Sequence, residues 1–248
     1  MRKLLEIGGI VAAAVLVAFG IAAIVLAIDG HNTVSANLKT QQITGTPDMA
    51  SGSPAIAGEV KAITANQNLL VRKFKAVGVT FTPSAVTVPG CSVAGDQVTD
   101  GNSARCFAQY MFIHAMGATG GLVYSQMGRY PAKPGTPFKY TDGNGGMSPS
   151  ASPAIVAKYA VVDPKTKQPV DNGARNVWID QVALSTALNA SYMADQISLF
   201  GIVVGIALLL SGIGFAILAI GGALRSPEGL FTFGRGAKKP SAPTSQAG

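Results

Sequence analysis

Residues 196–224, QISLFGIVVGIALLLSGIGFAILAIGGAL, decide the fold of this chain, because they run for 29 residues without a charged side chain. A second charge-free stretch of 22 residues, IGGIVAAAVLVAFGIAAIVLAI, occupies positions 7–28. A helix of about 20 apolar residues crosses a hydrocarbon core about 30 Å thick. The sequence therefore predicts two membrane-spanning helices, at residues 7–28 and 197–224.

The distribution of charge predicts the orientation of these two spans. Only 12% of the 248 residues are charged, against about 25% in soluble domains, which excludes an ordinary cytosolic globule. Of the net charge of +7, the short tails at residues 1–6 and 225–248 carry more than half. Cytoplasmic ends have such an excess of Lys and Arg, so both tails are predicted to be cytoplasmic, the second one disordered. Residues 29–196 then form an extracytoplasmic domain in the plasma membrane protein.

Two alternatives to this topology remain. The first apolar stretch could be a signal peptide cleaved after Ala27, which would leave one span and the same outer domain. The stretch is longer than the apolar core of 7–15 residues that signal peptides have, so an uncleaved anchor is the prediction. A nucleic-acid partner would need a basic stripe on a folded surface, whereas the excess of basic residues lies in the tails, so none is predicted.

The outer domain is predicted to be a helical bundle. The spacing of apolar residues predicts an amphipathic helix over Pro54–Ala76 and a second over Arg105–Met127, with His114 on its apolar stripe. A third helix, from Ala174 to Leu224, runs into the second span and forms a stalk. Arg129–Pro153, with five prolines, is predicted to be an irregular loop, and Ala157–Val170 a small hairpin. The fold class is thus a mainly α membrane protein.

Small residues predict how the two spans pack together. Alanines recur every four residues in the first span, and two glycines stand four apart in the second; these positions are Ala14, Ala18, Ala22, Gly201 and Gly205. Small residues at this spacing let helix backbones approach closely in lipid. The prediction is an antiparallel pair within one chain, with homodimerisation through the same faces as the alternative.

The two cysteines, Cys91 and Cys106, both fall in the predicted outer domain. In an oxidising compartment such a pair forms a disulfide, and closing this loop contributes about 3 kcal/mol in the chain-entropy model. Two free thiols in a reduced loop are the alternative.

The few titratable residues give little basis for catalysis. The chain has two histidines, His31 and His114, without the HxxxH or HExxH spacing that fixes two metal ligands on one element, and it has no GxSxG motif for a nucleophile. No catalytic residue, metal ligand or cofactor is therefore predicted. Asp29, His31 and Asp195 mark the outer ends of the spans and are predicted to form a polar cluster at the membrane surface, where a pH-sensitive site is one interpretation and helix-end polarity the other.

Three stretches, Leu5–Leu38, Ala104–Arg129 (ARCFAQYMFIHAMGATGGLVYSQMGR) and Val170–Gly222, resemble a group of uncharacterised actinobacterial membrane proteins and cover about half of the chain. The group looks like one with two spans and an extracytoplasmic loop domain, and its members are often labelled aromatic ring-opening dioxygenase. The resemblance implies the two-span architecture. The label implies Fe(II) held by two histidines and a carboxylate, and no position here matches a motif of that enzyme family.

The leading functional hypothesis is a non-enzymatic membrane protein whose outer domain contacts a protein or the cell envelope, as a subunit of a membrane assembly. Its predicted partners are membrane lipid and either another protein or a second copy, with no small-molecule substrate. The loop Arg129–Pro153, with Lys133 and Lys139, is the predicted contact surface, because contacts concentrate on loops held by a rigid scaffold. An iron-dependent ring-opening dioxygenase and a small transport or sensing subunit are the alternatives.

Overall fold

The structure, a computed structural model, describes residues 2–221, so the predicted tail at 225–248 and the last residues of the second predicted span lie outside the described residues. Five α-helices make up most of this part: α1 (Arg2–Gln41), α2 (Pro54–Ala76), α3 (Gly101–Ala118), α4 (Pro153–Tyr159) and α5 (Gly173–Gly221). Short 3-10 turns and isolated β-bridges connect them, and no β-strand forms within residues 2–221. The prediction of a mainly helical protein is confirmed.

The chain divides into two compact units. One unit, called here the two-helix unit, consists of residues 1–29 and 198–248; the other, the helical domain, is Gly30–Ile197. Both α1 and α5 contain a segment long and apolar enough to cross a membrane. In the described part of the two-helix unit, large apolar side chains are exposed, with Phe19 at 66% and Phe200 at 68%. An exposed apolar surface of this kind is suited to lipid rather than to water.

Glycines bring the helices of the two-helix unit into backbone contact. A Cβ atom built on Gly205 would lie 2.9 Å from the carbonyl oxygen of Gly20, and one on Gly201 would lie 3.0 Å from the Cβ of Ala27. A Cβ on Gly212 would lie 2.8 Å from the side chain of Val17. Because later residues of α5 meet earlier residues of α1, the two segments run antiparallel. Gly201 and Gly205 thus lie at the contact, as the sequence predicts.

The predicted alanine face of the first helix is wrong. Ala14, Ala18 and Ala22 are exposed, and the contact face of α1 carries Ala13, Val17, Gly20, Ile24 and Ala27 instead. These residues follow one another at spacings of three and four, the spacing of one helix face. The alanine repeat predicts the wrong face because the two backbones approach most closely at Gly20, where the absence of a side chain leaves room for the backbone of α5.

The core of the helical domain lies where α2, α3 and the first half of α5 meet. Its buried side chains are apolar residues at helical spacing: Ile56, Ile63, Leu70 and Phe74 from α2, Tyr110, Ile113 and Met116 from α3, and Trp178 and Leu188 from α5. The indole nitrogen of Trp178 donates a hydrogen bond of 2.7 Å to the carbonyl oxygen of Leu122. The first half of α5 is therefore a packed core helix, and the predicted stalk is wrong, although the helix itself is confirmed.

The helix boundaries follow local capping chemistry. Helix α2 has the predicted bounds, because Ser53 and Pro54 form a helix start with proline at its first position. Helix α3 begins four residues before the predicted Arg105, since the Asp100 side chain accepts a hydrogen bond from the backbone N–H of Ser103 and the Ser103 hydroxyl accepts one from the backbone N–H of Asp100. It ends at Ala118, far short of the predicted Met127.

Two glycines and a threonine end helix α3. Gly120 and Gly121 take φ values of +62° and +80°, which only glycine adopts without strain, and the hydroxyl of Thr119 donates to the carbonyl oxygen of Leu122 at 2.7 Å. The face of α3 is also rotated from its predicted position. His114 is half-buried rather than part of the apolar core stripe, because Tyr110, Ile113 and Met116 take the buried positions.

Residues 127–172 contain the predicted irregular loop, Arg129–Pro153, followed by two regular pieces. Helix α4 was not predicted as a helix, although it begins with the same Ser-Pro pair as α2; here the Ser152 side chain also accepts a hydrogen bond from the backbone of Ile155, a cap that Ser53 does not make. The predicted hairpin is smaller than Ala157–Val170. It begins after α4, with an antiparallel bridge between Val162 and Pro169.

Candidate interaction surface

The loop that precedes α4 is organised around one buried carboxylate. Asp142 is 3% exposed and accepts backbone hydrogen bonds from Gly128 (3.2 Å), Asn144 (2.9 Å) and Gly146 (2.8 Å). Burial raises the pKa of Asp142, and its three N–H donors oppose that rise only in part. The side chain of Asn172 donates to the carbonyl oxygen of Gly128 at 2.9 Å and ties the same loop to the start of α5.

Two tyrosines and three lysines cover the outer side of this loop. The rings of Tyr140 and Tyr159 stack with their centres 5.8 Å apart. The ammonium group of Lys139 lies 4.9 Å from the centre of the Tyr140 ring, and that of Lys158 lies 5.0 Å from the centre of the Tyr159 ring. Lys133 donates a hydrogen bond to the backbone carbonyl of Lys158. We call Lys133, Lys139, Tyr140, Lys158 and Tyr159 the basic loop surface.

The basic loop surface has no acidic residue to neutralise it within its own segment. Between residues 130 and 162 the sequence contains three lysines, no arginine and one acid. That acid, Asp142, is buried and bound to backbone N–H groups. Beside the surface lies a hollow of about 300 Å³ whose lining includes Lys139, Tyr140 and the hydroxyls of Ser148, Ser150 and Ser152. Ammonium and hydroxyl groups are hydrogen-bond donors suited to an anionic partner.

The sequence predicted this loop and two of its lysines but missed the surface that they form. Lys133 and Lys139 lie in the predicted contact loop, whereas Lys158 and Tyr159 end helix α4. The dipeptide Lys-Tyr occurs at 139–140 and again at 158–159. That repeat is the one signal in the sequence for the two stacked ring and ammonium pairs.

The predicted disulfide is confirmed. Cys91 and Cys106 are bonded across 15 residues, and they join the segment before α3 to the first turns of that helix. The hydroxyl of Tyr110, one turn further along α3, donates a hydrogen bond of 2.8 Å to the carbonyl oxygen of Cys91. Burial, with a smaller contribution from the nearby Asp48 carboxylate, raises the pKa of Tyr110, which keeps this hydroxyl protonated as a donor.

Two of the three residues predicted to form a polar cluster meet in the helical domain. His31 Nδ1 lies 2.5 Å from Oδ1 of Asp195, and Oδ2 of Asp195 accepts a 3.3 Å hydrogen bond from the backbone of Gly101 at the start of α3. Asp195 is 3% exposed, while the His31 ring is half-exposed. A Cβ on Gly101 would lie 2.7 Å from the Cβ of Asp195, so glycine is needed there. Asp29 is exposed and belongs to the two-helix unit.

The other histidine has separate partners. His114 Nδ1 lies 3.1 Å from Glu59 Oε2, and its Nε2 lies 3.3 Å from Asp48 Oδ2. Each ring nitrogen therefore faces a different carboxylate, an arrangement that ties α2, α3 and the turn at Pro47–Met49 together. No group of three His, Cys, Asp or Glu side chains in residues 2–221 could hold a metal ion. His31 and His114 therefore have different carboxylate partners.

The chain matches no protein-family model, no curated protein and no solved structure.

Proposed function

We propose that this chain is a non-enzymatic, two-pass plasma-membrane protein whose helical domain lies outside the cell and binds a protein or another component of the cell envelope. The two apolar helices support the anchor, since both are long enough to cross a bilayer. Three features favour an outer location for the domain: the disulfide, the stretch of 168 residues that separates the two predicted spans, and the excess of basic residues in the terminal tails.

The observation that carries the binding function is the basic loop surface. Lys139 and Lys158 flank the stacked rings of Tyr140 and Tyr159, and the acid of the same segment, Asp142, is buried. Aromatic rings with flanking cations are typical of contact surfaces, because they combine large apolar area with few rotatable bonds. The uncompensated positive charge selects a partner with an acidic surface. The domain then acts as a docking subunit of a membrane assembly.

The alternative functions have weaker support. A ring-opening dioxygenase would use histidines at one metal, and His31 and His114 have different carboxylate partners. A sensing subunit is favoured by one observation, the contact of half-exposed His31 with buried Asp195, whose other carboxylate oxygen accepts from the backbone of Gly101 at the start of α3. That contact lies outside the basic loop surface, so separate variants test the two functions.

The docking function is tested by charge-matched variants of the full chain. The pair Lys139→Gln and Lys158→Gln removes both ammonium groups from the stacked rings, and the pair Lys61→Gln and Lys165→Gln removes two exposed charges elsewhere. Wild-type protein purified in mild detergent is expected to retain a partner in fixed ratio, and the first variant to lose it while the second keeps it. Equal retention by both variants would refute the role of the basic loop surface.

The orientation is tested in intact cells with an amine reagent that does not cross the membrane. Labelling is expected at Lys139 and Lys158, which are exposed in the helical domain, and absent at Lys238 and Lys239 in the C-terminal tail. The same tail lysines should label after the cells are opened, which is the control. Labelling of Lys238 in intact cells, with Lys139 protected, would invert the proposed topology.

A further inference from the structure

A groove of about 550 Å³ crosses the helical domain on a different set of residues from the basic loop surface. Its volume falls in the range of about 300–1,000 Å³ that ligand sites occupy. One face of α3 lines it through Arg105, Ala108, Gln109 and Phe112. The segment from Ala85 to Gly90, before the disulfide, lines one side, and Gln181, Ser185 and Asn189 of α5 line it as well.

The chain beside the groove at Ser84–Val88 makes no backbone hydrogen bonds to other described residues, whereas the carbonyl of Gly90 accepts one from Ser51. Among the residues that the structure describes, none of the backbone N–H and C=O groups from Ser84 to Val88 has a hydrogen-bond partner. Ala85, Thr87 and Val88 are exposed. A row of unpaired peptide groups of this kind accepts an additional extended chain, which pairs with it as a β-strand does.

The α5 residues offer polar side chains to the same groove. Gln181 is 6% exposed, and its amide donates a 2.7 Å hydrogen bond to Ser185 Oγ. The carbonyl oxygen of the Gln181 side chain has no partner within residues 2–221, so it is free to accept a hydrogen bond from a donor in the groove that Gln181 lines. Asn189 is exposed on the rim, and its side chain has no hydrogen bond to another described residue. Amide side chains both donate and accept, as the peptide backbone requires.

The dimensions of the groove match a short extended peptide. Residues 85–88 provide four positions, or about 13 Å of extended chain at about 3.3 Å per residue. Gln181 to Asn189 covers eight steps of α5, about 12 Å at about 1.5 Å per residue. A peptide segment of about four residues therefore spans both sides of the groove.

The charge of the groove fixes the chemistry of this peptide. Arg105 is the one charged residue in the groove lining, and its guanidinium lies 4.7 Å from the centre of the Tyr192 ring. Ring contact holds the side chain, and none of the ion pairs between described residues involves it. We propose that the groove binds an extended peptide segment of a partner protein, with its backbone along Ser84–Val88 and an acidic side chain on Arg105. This site goes beyond the basic loop surface and does not depend on it.

The test uses the full-length protein in lipid nanodiscs and a library of random octapeptides displayed on phage. Peptides are selected on the wild type after depletion on the Arg105→Gln variant. We expect enrichment of sequences with an acidic residue between β-branched or small residues. A labelled peptide of the enriched sequence is then measured by fluorescence anisotropy, and changing its acid to the amide should weaken binding at least tenfold on the wild type and leave binding unchanged on Arg105→Gln.

Matched variants separate the groove from effects on folding. Arg72→Gln removes an exposed arginine of α2 that does not line the groove and should leave the affinity within twofold. Asn189→Trp fills the rim from an exposed position, so it should abolish binding without lowering the melting temperature. Two further peptides carry N-methyl groups on alternate backbone nitrogens, one on the odd and one on the even positions. One of the two should bind at least tenfold more weakly, because methylation removes the N–H donors that pair with residues 84–88.

Several outcomes would overturn the proposal. If no peptide is enriched on the wild type relative to the Arg105→Gln variant, the groove is not a peptide-binding site of the kind proposed. Enrichment of basic or charge-free peptides would contradict the role of Arg105. Binding that survives backbone methylation in both methylated peptides would mean that no strand pairing occurs. Enrichment of the chain's own FTPSAVTV sequence, with a dimer in light scattering, would assign the groove to a second copy. Each result leaves the pull-down test of the basic loop surface unaffected.

Discussion

Replacement of the buried carboxylate of Asp142 tests how the loop that carries the basic loop surface is held. Asp142→Ala leaves the N–H groups of Gly128, Asn144 and Gly146 without their acceptor. An unsatisfied buried donor costs about 1–3 kcal/mol, and removal of the desolvated carboxylate offsets part of that cost, so we expect a net loss of about 3 kcal/mol. For a domain of this size about 1 kcal/mol corresponds to about 2–4 °C. The melting temperature should therefore fall by about 6–12 °C.

Asp142→Asn is the finer variant. Its carbonyl oxygen can still accept from Asn144 and Gly146, but its amide faces the N–H of Gly128, so one bond is lost and the expected cost is about 1–2 kcal/mol. Burial raises the pKa of Asp142 in the folded protein. Its contribution to folding stability is therefore fully present below the pKa that the group has in the unfolded chain, and declines as the pH rises through the pKa that it has in the folded protein. The difference in melting temperature between wild type and Asp142→Asn should therefore be largest at acid pH and should decrease toward neutral pH.

Thermal melting of the full chain in detergent, followed by circular dichroism over that range of pH, measures both effects. The three proteins must be compared at one detergent concentration. A melting temperature for Asp142→Ala within 2 °C of wild type would contradict the reasoning, since it would mean that the loop is held by other contacts. A difference in melting temperature between wild type and Asp142→Asn that increases with pH would show instead that the folded protein stabilises the ionised form of Asp142.

Three further predictions concern the other contacts. Cys106→Ser should lower stability by about 3 kcal/mol for the 15-residue loop, and reduction should shift the wild type, not the variant, in gel mobility. Gly205→Val should lower the melting temperature by an amount equivalent to about 1–3 kcal/mol, because a Cβ at this position would lie 2.6 Å from the side chain of Ile24. Gly214→Val is the control, since no atom lies within 4 Å of a Cβ built there. Equal losses of stability in the two variants would contradict the packing of α1 against α5. Asp195→Ala should destabilise the domain more than His31→Ala, since only the aspartate is buried, and chemical denaturation that ranks them in reverse would refute its role at α3.

The sequence predicts the long helices because their signals are local and repeated. The length of α5 follows from the absence of glycine and proline between Ala174 and Phe200, and Ser53-Pro54 gives the start of α2 directly. The end of α3 could not be placed in the same way. Gly117, Gly120 and Gly121 are equally compatible with a thin helix and with a broken one, and the choice depends on Thr119 and Trp178, which meet only in the folded chain.

The candidate sites were less accessible from sequence, because they combine residues from distant segments. Lys139 and Lys158 are far apart in the chain, and the stacking of Tyr140 on Tyr159 brings them together. Arg105 was assigned to the start of a helix and not to a site, since its groove is formed by α5 and by a segment without regular structure. Of the predicted cluster of Asp29, His31 and Asp195, the last two are in contact. Their proximity could be inferred from sequence because both lie just beyond an apolar stretch and each helix continues without a break.

The irregular half of the domain is suited to binding because side chains, rather than strands or helices, satisfy its backbone. Asp142 accepts from three N–H groups of the loop, Asn172 donates to the Gly128 carbonyl, and Asp163 accepts from Lys165 and Thr166 in the hairpin. A loop fixed in this way keeps its lysines and rings in one arrangement, so a partner does not have to order them on binding. Burying the acid inside the loop has a second effect, since Asp142 holds the backbone while lysines are the only charged side chains left exposed between residues 130 and 162. The burial of Asp142 thus accounts both for the fixed arrangement of the basic loop surface and for its positive charge.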